Sequence, residues 1–525
     1  MARADAPPPP PPLAISAAAA RGNHPLLGKA PLAVFSALAL LAIPYASPKL
    51  EKFQVARIPG TEDEVEQEPV EANALAAIPA PSSTGEITLK ASENTGTITN
   101  ALPTDGKEVE VDPELLAKTR GSIAIENPTS MDAFYARLAK TVGKEQGAVT
   151  RVLHYGDSVI TSDFISGTMR RKLQKDFGDA GHGFILIANP WEWYFHNDVD
   201  HGASSGWTSS RITGPFAGDG LYGLGGVVFK GAGANAFFAT TTKGDYGRKV
   251  SKFELFYLEH PQGGDVELSV ESATKIPGSK PEVVRFSTKG PAKVSRKKSV
   301  SVTTPIENGA KLSVRAFGNG EDRLYGVVLE GDGPGVTYDA LGANGARVRL
   351  LKGIDADHWK EQMALRDPAL VVFQYGTNES EEGSVAKDYE EVLGEVLDRA
   401  RAAAPNAACL VAAPLDRAEK GGTDGLRTKK VIPKLVDAQA RVAKAHGCAF
   451  WNTFQAMGGE GSMAKWVRAR PALGSGDFTH PTPAGAEVIG DLLHKSLLAG
   501  YEAWQAKHPT APKLPAALTP QEPPH

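Results

Sequence analysis

The sequence predicts an α/β protein: a parallel sheet covered by helices on both faces, interrupted by an antiparallel β-sandwich. Three observations carry this. From about residue 336 to the end, segments with helical and strand patterning alternate, the rhythm of a parallel sheet with crossover helices. A single strand–helix unit of the same kind stands earlier, between about 120 and 180. Between the two, about 205–335 holds short alternating runs separated by Gly, Pro and Asn, with no helical segment among them.

In chain order, residues 1–29 include the tract "PPPPPP", which cannot build a core and is expected to be disordered. Residues 30–48, "APLAVFSALALLAIPYASP", are uncharged and at the lower limit for a membrane-spanning helix, with Pro44 disturbing the far end. They are read as an uncleaved transmembrane anchor with the bulk of the chain exported; a cleaved signal segment is the alternative. Residues 49–112 turn polar and acidic ("TEDEVEQEPVEANALAAIPAPSSTGE") and are expected to form a disordered linker. Residues 113–204 are assigned to the first part of the core. There, "NPTSMDAFYARLAKTV" reads as a capped helix and "AVTRVLHYG" as a buried strand; Ile165, Met169 and Leu173 mark an amphipathic helix.

Residues 205–335 are read as the inserted sandwich, on "KFELFYLEH", "DVELSVES", "EVVRFSTK", "KSVSVTTP", "AKLSVRAF" and "RLYGVVLEG". Residues 336–507 form the second part of the core: strands at "PALVVFQYG", "ACLVAAP" and "CAFWNTF", and helices at "AKDYEEVLGEVLDRARAAAP", "KKVIPKLVDAQARVAKAHG" and "TPAGAEVIGDLLHKSLLAGYEAW". Residues 508–525 are a second Pro-rich tail and are expected to be disordered.

Composition excludes several classes. A net charge of -4 gives no basic footprint for nucleic acid. Two cysteines, Cys409 and Cys448, rule out a disulfide-stapled scaffold. Each opens a predicted strand, so a bond between neighbouring strands and a pair of buried thiols are both open. No C-x-x-C or H-E-x-x-H spacing announces a metal; His182 and His196 lack a third partner at suitable spacing.

In open α/β sheets, reacting groups gather beyond the carboxyl ends of the strands. Four polar segments stand at such ends or in long loops: "YGDSV" (155–159), "LGANGAR" (341–347), "QYGTNES" (374–380) and "GDFTHPTPAG" (476–485). In that order they resemble the blocks of the SGNH (GDSL-type) esterase and acyltransferase superfamily. Gly156-Asp157-Ser158 matches the first block and its nucleophile, Gly345 the glycine of the second, Gly376-Thr377-Asn378-Glu379 the third and its asparagine. Asp477-Phe478-Thr479-His480 matches the final D-x-x-H. The resemblance spans roughly 120–500. The β insertion and "FGDAGHGF" resemble, within it, the bacterial peptidoglycan O-acetylesterases, which carry a carbohydrate-module-like β domain at this place. Val159 departs from the Leu or His often found after the serine, which weakens substrate inference from that position alone.

The resemblance implies a flavodoxin-like three-layer α/β/α core. It implies catalysis by Ser158, His480 and Asp477, and an oxyanion hole from the N–H groups of Ser158 and Gly345 and the amide of Asn378. It implies no cofactor. The chemistry fits the residue types: a serine hydroxyl needs an adjacent base, the base needs an orienting carboxylate, and the tetrahedral oxyanion needs preorganised donors. Each segment alone has an ordinary reading. Gly156-Asp157-Ser158 reads as a turn and helix cap, Asn378 as a loop residue, and "DFTHPTPAG" as a helix start with Thr482 as cap and Pro483 in the first turn. Their joint order favours the catalytic reading. Asp157 is expected to be structural, His154 a core histidine, and Trp191 and Trp193 in "NPWEWYFHNDVDH" sugar-stacking platforms or inter-module packing.

The expected function is removal of O-acetyl groups from a cell-envelope polysaccharide, peptidoglycan by resemblance, by an exported protein in the periplasm or cell envelope. The alternatives are an O-acetyltransferase using the same residues and a non-catalytic envelope glycan-binding protein.

Overall fold

A computed structural model describes residues 123–515 apart from 241–245, 248–249, 273–279, 303–308 and 423–424, together with residue 518 and the strands at 90–91, 98–101 and 108–111. The anchor expected at 30–48 lies outside the described residues. Among those described, no helix is long and apolar enough to cross a membrane.

The core sheet has five parallel strands: β1 (Val149–Gly156), β2 (Gly335–Gly342), β3 (Leu370–Gln374), β4 (Ala408–Ala412) and β5 (Ala449–Trp451). Their spatial order is β2-β1-β3-β4-β5, all parallel. That is the flavodoxin-like order. The chain reverses direction across the sheet at β1, and the crevice beyond the carboxyl ends of the neighbouring strands is where such sheets place their ligands. Side chains alternate between two layers as the two-residue period demands. Val152, Tyr338, Leu370 and Leu410 pack with α1 (Asp132–Val142), α2 (Phe164–Phe177) and α6 (Pro483–Lys507). Leu153, Tyr155, Phe373 and Val411 pack on the other face with α3 (Ala356–Arg366), α4 (Tyr389–Ala403) and α5 (Val431–Ala445).

The insertion between β1–α2 and β2 forms two antiparallel sheets. One orders Val294–Ser301, Lys252–Glu259, Arg323–Glu330, Val227–Gly231 and Trp207–Arg211; the other orders Glu282–Ser287, Asp265–Ser272, Ala310–Ala316, Asn235–Thr240 and Val199–Ala203. In Asp265–Ser272, only Val266, Leu268 and Val270 are buried, so this sheet has one inner face. Arg323–Glu330 is buried throughout, because its sheet lies between the second sheet and the core.

The boundary read at residue 205 moves earlier. Val199–Ala203 pairs with Asn235–Thr240, and Gly181–Ile185 pairs with Arg323–Glu330. Their sequences, "VDHGA" and "GHGFI", are glycine-interrupted and too short to show alternation. The linker expected to be wholly disordered also carries an antiparallel meander of Lys90–Ala91, Ile98–Ala101 and Glu108–Val111. The alternation in "EVEV" is that of a strand, and the acidic composition around it masks the signal.

Cys409 and Cys448 are disulfide-bonded, with Cα atoms 4.7 Å apart. The pairing of Leu410 with Ala449 places the two cysteines one step along the same register.

Candidate active site

β1 ends at Gly156, where a side chain would collide with Ile160 and come within 2.9 Å of the Gln374 carbonyl oxygen. The chain then turns, and a four-residue helix starts at Ser158 with Asp157 as its cap. Asp157 is fully buried. Its two oxygens accept from the N–H of Val159 at 3.2 Å and of Thr377 at 3.2 Å. Burial pushes its carboxyl above the usual aspartate range, against the lowering by those two amides. Asp157 thus ties the serine turn to the loop after β3, the structural role expected of it.

The serine hydroxyl is half-buried and faces a histidine from the far end of the chain: Ser158 Oγ lies 2.7 Å from His480 Nε2. The other ring nitrogen, Nδ1, lies 2.6 Å from Asp477 Oδ2. A carboxylate only accepts, so Nδ1 carries the proton and Nε2 is free to accept from the serine. Asp477 Oδ1 also accepts from the N–H of His480 at 3.0 Å and of Thr479 at 2.9 Å. Burial opposes ionisation of Asp477, but the imidazole and these amides outweigh it and hold the carboxyl at about 2. Between Asp477 and His480, Phe478 sits at φ 58°, a left-handed conformation that a bulky side chain rarely adopts. Thr482 caps α6 through its hydroxyl, which accepts from Gly485 N–H at 3.2 Å, and Pro483 opens the helix. The helix-start reading of "THPTPAG" and the histidine's place beside the serine therefore hold together.

The loops after β2 and β3 complete the constellation. Ala343 N–H donates to the Gly156 carbonyl at 3.0 Å, which lays the β2 loop along the serine turn. Gly345 is exposed at φ 75°, with open space where a side chain would project. Gly342, in contrast, is buried at the strand end against Thr161. Asn378 Nδ2 donates to the Ala346 carbonyl at 2.8 Å, and Glu379 accepts from Val348 N–H at 2.7 Å. Among the described residues, the N–H groups of Ser158 and Gly345 have no hydrogen-bond acceptor. Glu379 is buried, and burial, with the charge of Asp157 adding to it, lifts its carboxyl to about 7 against the pull of Val348 N–H. Nothing in "GTNES" marks Glu379 beforehand; its signal is burial, which needs the fold.

The remaining candidates fall elsewhere. Trp191 packs partly into the core, and its Nε1–H donates to Thr213 Oγ1 at 3.4 Å. Trp193 is half-buried against Phe195, with ring centroids 6.4 Å apart. The Phe195 N–H donates to Thr161 O at 3.2 Å, so this aromatic segment lies along the short helix that begins at Ser158. His154 is buried and hydrogen-bonded to the Tyr338 hydroxyl at 2.9 Å. His182 and His196 are buried with ring centroids 5.8 Å apart. Among the described residues, no group of three or more His, Cys, Asp or Glu is arranged to hold a metal ion.

An imidazole that accepts from a serine and is held by a carboxylate is the arrangement that activates serine for attack on an ester carbonyl. Residues 308–488 match the GDSL-like Lipase/Acylhydrolase family. That match takes in Gly345, Asn378, Asp477 and His480 and begins after Ser158. Comparison with curated protein sequences finds no match. Among solved structures, a peptidoglycan O-acetylesterase is similar at 23% identity, covering 71% of this chain and 96% of that one with a TM-score of 0.58. An acetyl xylan esterase, AlAXEase, is similar at 15% identity over 30% of this chain and 78% of that one, with a TM-score of 0.23. A salicylyl-acyltransferase from a tetracycline biosynthetic pathway is similar at 12% identity over 63% and 98%, with a TM-score of 0.23. The last two superpose too weakly to bear on this chain. Residues 308–488 thus match a GDSL-like acylhydrolase family, and the chain shares the fold of the peptidoglycan O-acetylesterase structure, with the parallel order β2-β1-β3-β4-β5 in its core sheet.

Proposed function

We propose that this protein removes O-acetyl groups from a cell-envelope polysaccharide, with peptidoglycan as the favoured substrate. The observation that carries the reading is the continuous relay Ser158–His480–Asp477 at 2.7 Å and 2.6 Å. In this mechanism Ser158 Oγ attacks the acetyl carbonyl carbon while His480 Nε2 takes its proton. Asp477 holds the ring in the required tautomer and stabilises its cationic form. The oxyanion is received by the N–H groups of Ser158 and Gly345 and by the Asn378 amide. Collapse breaks the ester C–O bond; His480 returns the proton to the sugar oxygen, leaving acetyl-Ser158. Water, deprotonated by the same imidazole, then attacks this ester and releases acetate and the free serine.

Several features support the finer parts of the reading. The His480 side chain is 38% exposed, which gives water access to the acyl-serine and favours hydrolysis over transfer to a second sugar. Among the described residues, three large apolar side chains are exposed: Phe195, Phe216 and Val283. Of these, Phe195 adjoins the serine helix, while Phe216 lies in the loop whose Thr213 accepts from Trp191. With Trp193 they offer flat faces to pyranose rings, with Trp191 anchoring the shelf. The solved structure with a TM-score of 0.58 is of a protein acting on peptidoglycan. The Cys409–Cys448 bond suits an oxidising compartment, and thus export to the periplasm or envelope with 30–48 as membrane attachment.

Ser158→Ala should abolish hydrolysis of 4-nitrophenyl acetate, and mass spectrometry should place an organophosphate adduct on Ser158. Wild-type turnover in the Ala variant would sink the assignment. Acetate release from O-acetylated peptidoglycan but not from acetylated xylan would support peptidoglycan as the polymer; the reverse would remove it.

A further inference from the structure

The residues that make the proposed site come from three separate loops, and one buried side chain outside the motif blocks joins two of them. Arg417 follows β4 in "PLDRAEK", a segment with no part in the relay, and its side chain is only 7% exposed. Its Nη1 donates to the Thr377 carbonyl at 2.7 Å and to Ser380 Oγ at 2.6 Å. These residues flank Asn378 on both sides. Its Nε and Nη2 donate to Thr479 Oγ1 at 3.2 Å and 2.9 Å. Thr479 lies between Asp477 and His480. The remaining bond, from Nη2 to Glu381 at 2.6 Å, reaches a half-exposed carboxylate and adds little by itself. All five guanidinium N–H groups are engaged, in the fixed planar fork that only arginine supplies.

The loop gripped by this fork is the strained one. Phe478 at φ 58° holds a conformation that a bulky side chain tolerates only where neighbours over-determine the backbone. Two consecutive residues do so here: Ala418 N–H donates to the Phe478 carbonyl at 2.9 Å, and the Arg417 side chain takes the Thr479 hydroxyl. That hydroxyl also donates to the Asp477 carbonyl at 3.1 Å.

We infer that Arg417 is a positioning residue for catalysis: it holds the His480 loop and the Asn378 loop in one register, so that the base and the oxyanion donor face the same carbonyl. The inference rests on the esterase reading above and adds to it a residue that touches neither substrate nor the reacting atoms. Letting the strained loop relax displaces His480 from Ser158, and misplacement of a reacting group by about 1 Å costs on the order of 10²-fold.

The test uses the full chain and 4-nitrophenyl acetate, with rates taken in excess of Ser158→Ala and normalised by active-site titration with a phosphonate. Arg417→Met keeps the length of the side chain and loses the fork. Its kcat per titrated site should fall at least tenfold with KM within twofold, and Arg417→Lys should recover only a small part. Thr479→Val removes one acceptor and leaves Arg417 in place, so it serves if the Met variant does not fold. It should lower kcat at least threefold at unchanged KM, and Thr479→Ser should recover most of that loss. A kcat per titrated site within threefold of wild type in whichever of these variants folds would overturn the inference, whatever happens to thermal stability. A wild-type rate in Ser158→Ala would instead overturn the esterase reading.

Discussion

The serine turn and the histidine loop meet at one hydrogen bond but are built in opposite ways. Each has an aspartate. Asp157 is fully buried, bonds two backbone amides and is pushed upward in pKa; Asp477 is partly exposed, bonds an imidazole and is held at about 2. The serine turn grows directly from a central strand and inherits its rigidity. The histidine loop lies before α6, carries a left-handed phenylalanine and is secured by Arg417 and Ala418. Ser158, the proposed nucleophile, is thus fixed by the core, and His480, the proposed base, by a handful of polar contacts. The same residue type serves architecture at one end and chemistry at the other, and the environment decides which.

Exchanging these roles by mutation sharpens the contrast. The largest effect is expected at Asp477→Asn. The carboxamide donates to Nδ1, which moves the ring proton to Nε2 and removes the acceptor for the serine. Ser158-dependent kcat should fall about 10³–10⁴-fold, while the urea midpoint stays close to wild type. Asp157→Ala should do the reverse in kind. It leaves the N–H groups of Val159 and Thr377 buried without acceptors, at about 1–3 kcal/mol each, and equilibrium urea unfolding should report the loss. An Asp157→Ala protein as stable as wild type would show that the serine turn is not held through that side chain.

The smallest effect concerns the third carboxylate, Glu379, beside Asn378. The unfolded chain releases this proton near 4.5 and the folded chain at about 7. Between those values the folded state holds the extra proton, so stability falls as pH rises through the window and levels off above it. Glu379→Gln should flatten that slope, with a gain on the order of 1–3 kcal/mol at pH 8 relative to pH 4.5. Parallel urea titrations of both proteins from pH 4.5 to 8 measure it, and equal slopes would refute it.

Much of this was legible beforehand where residues carry a strong local pattern. "LHYG" and "LVVFQ" read as central strands, and three of the four polar blocks fall at the carboxyl ends of such strands, the fourth lying in the loop before α6. Strands "GHGFI" and "VDHGA" were not legible, since glycine suppresses alternation and only pairing with distant strands defines them. That Gly345 is open and Gly342 packed needed the fold, and the choice between thiols and a disulfide needed the adjacency of β4 and β5. Arg417 has no motif at all. Its significance lies in partners 36–62 residues away, which sequence spacing does not reveal.

The pairing of β1 with β2 spans the whole insertion, and this has a kinetic meaning. An unstructured loop of that length would delay the first central contact of the core, because long-range closure slows folding. The sandwich shortens the search by stitching its own entrance and exit together: Gly181–Ile185 lies along Arg323–Glu330, and Asp179 bridges Val336. Once the insertion has folded, β1 and β2 emerge side by side. As the chain leaves the ribosome, it can close its central strands only after residue 335 and can bring His480 to Ser158 only after residue 480 has been made. The Ser158–His480 contact therefore forms late in assembly, and the timetable is written in where the sandwich stands in the chain.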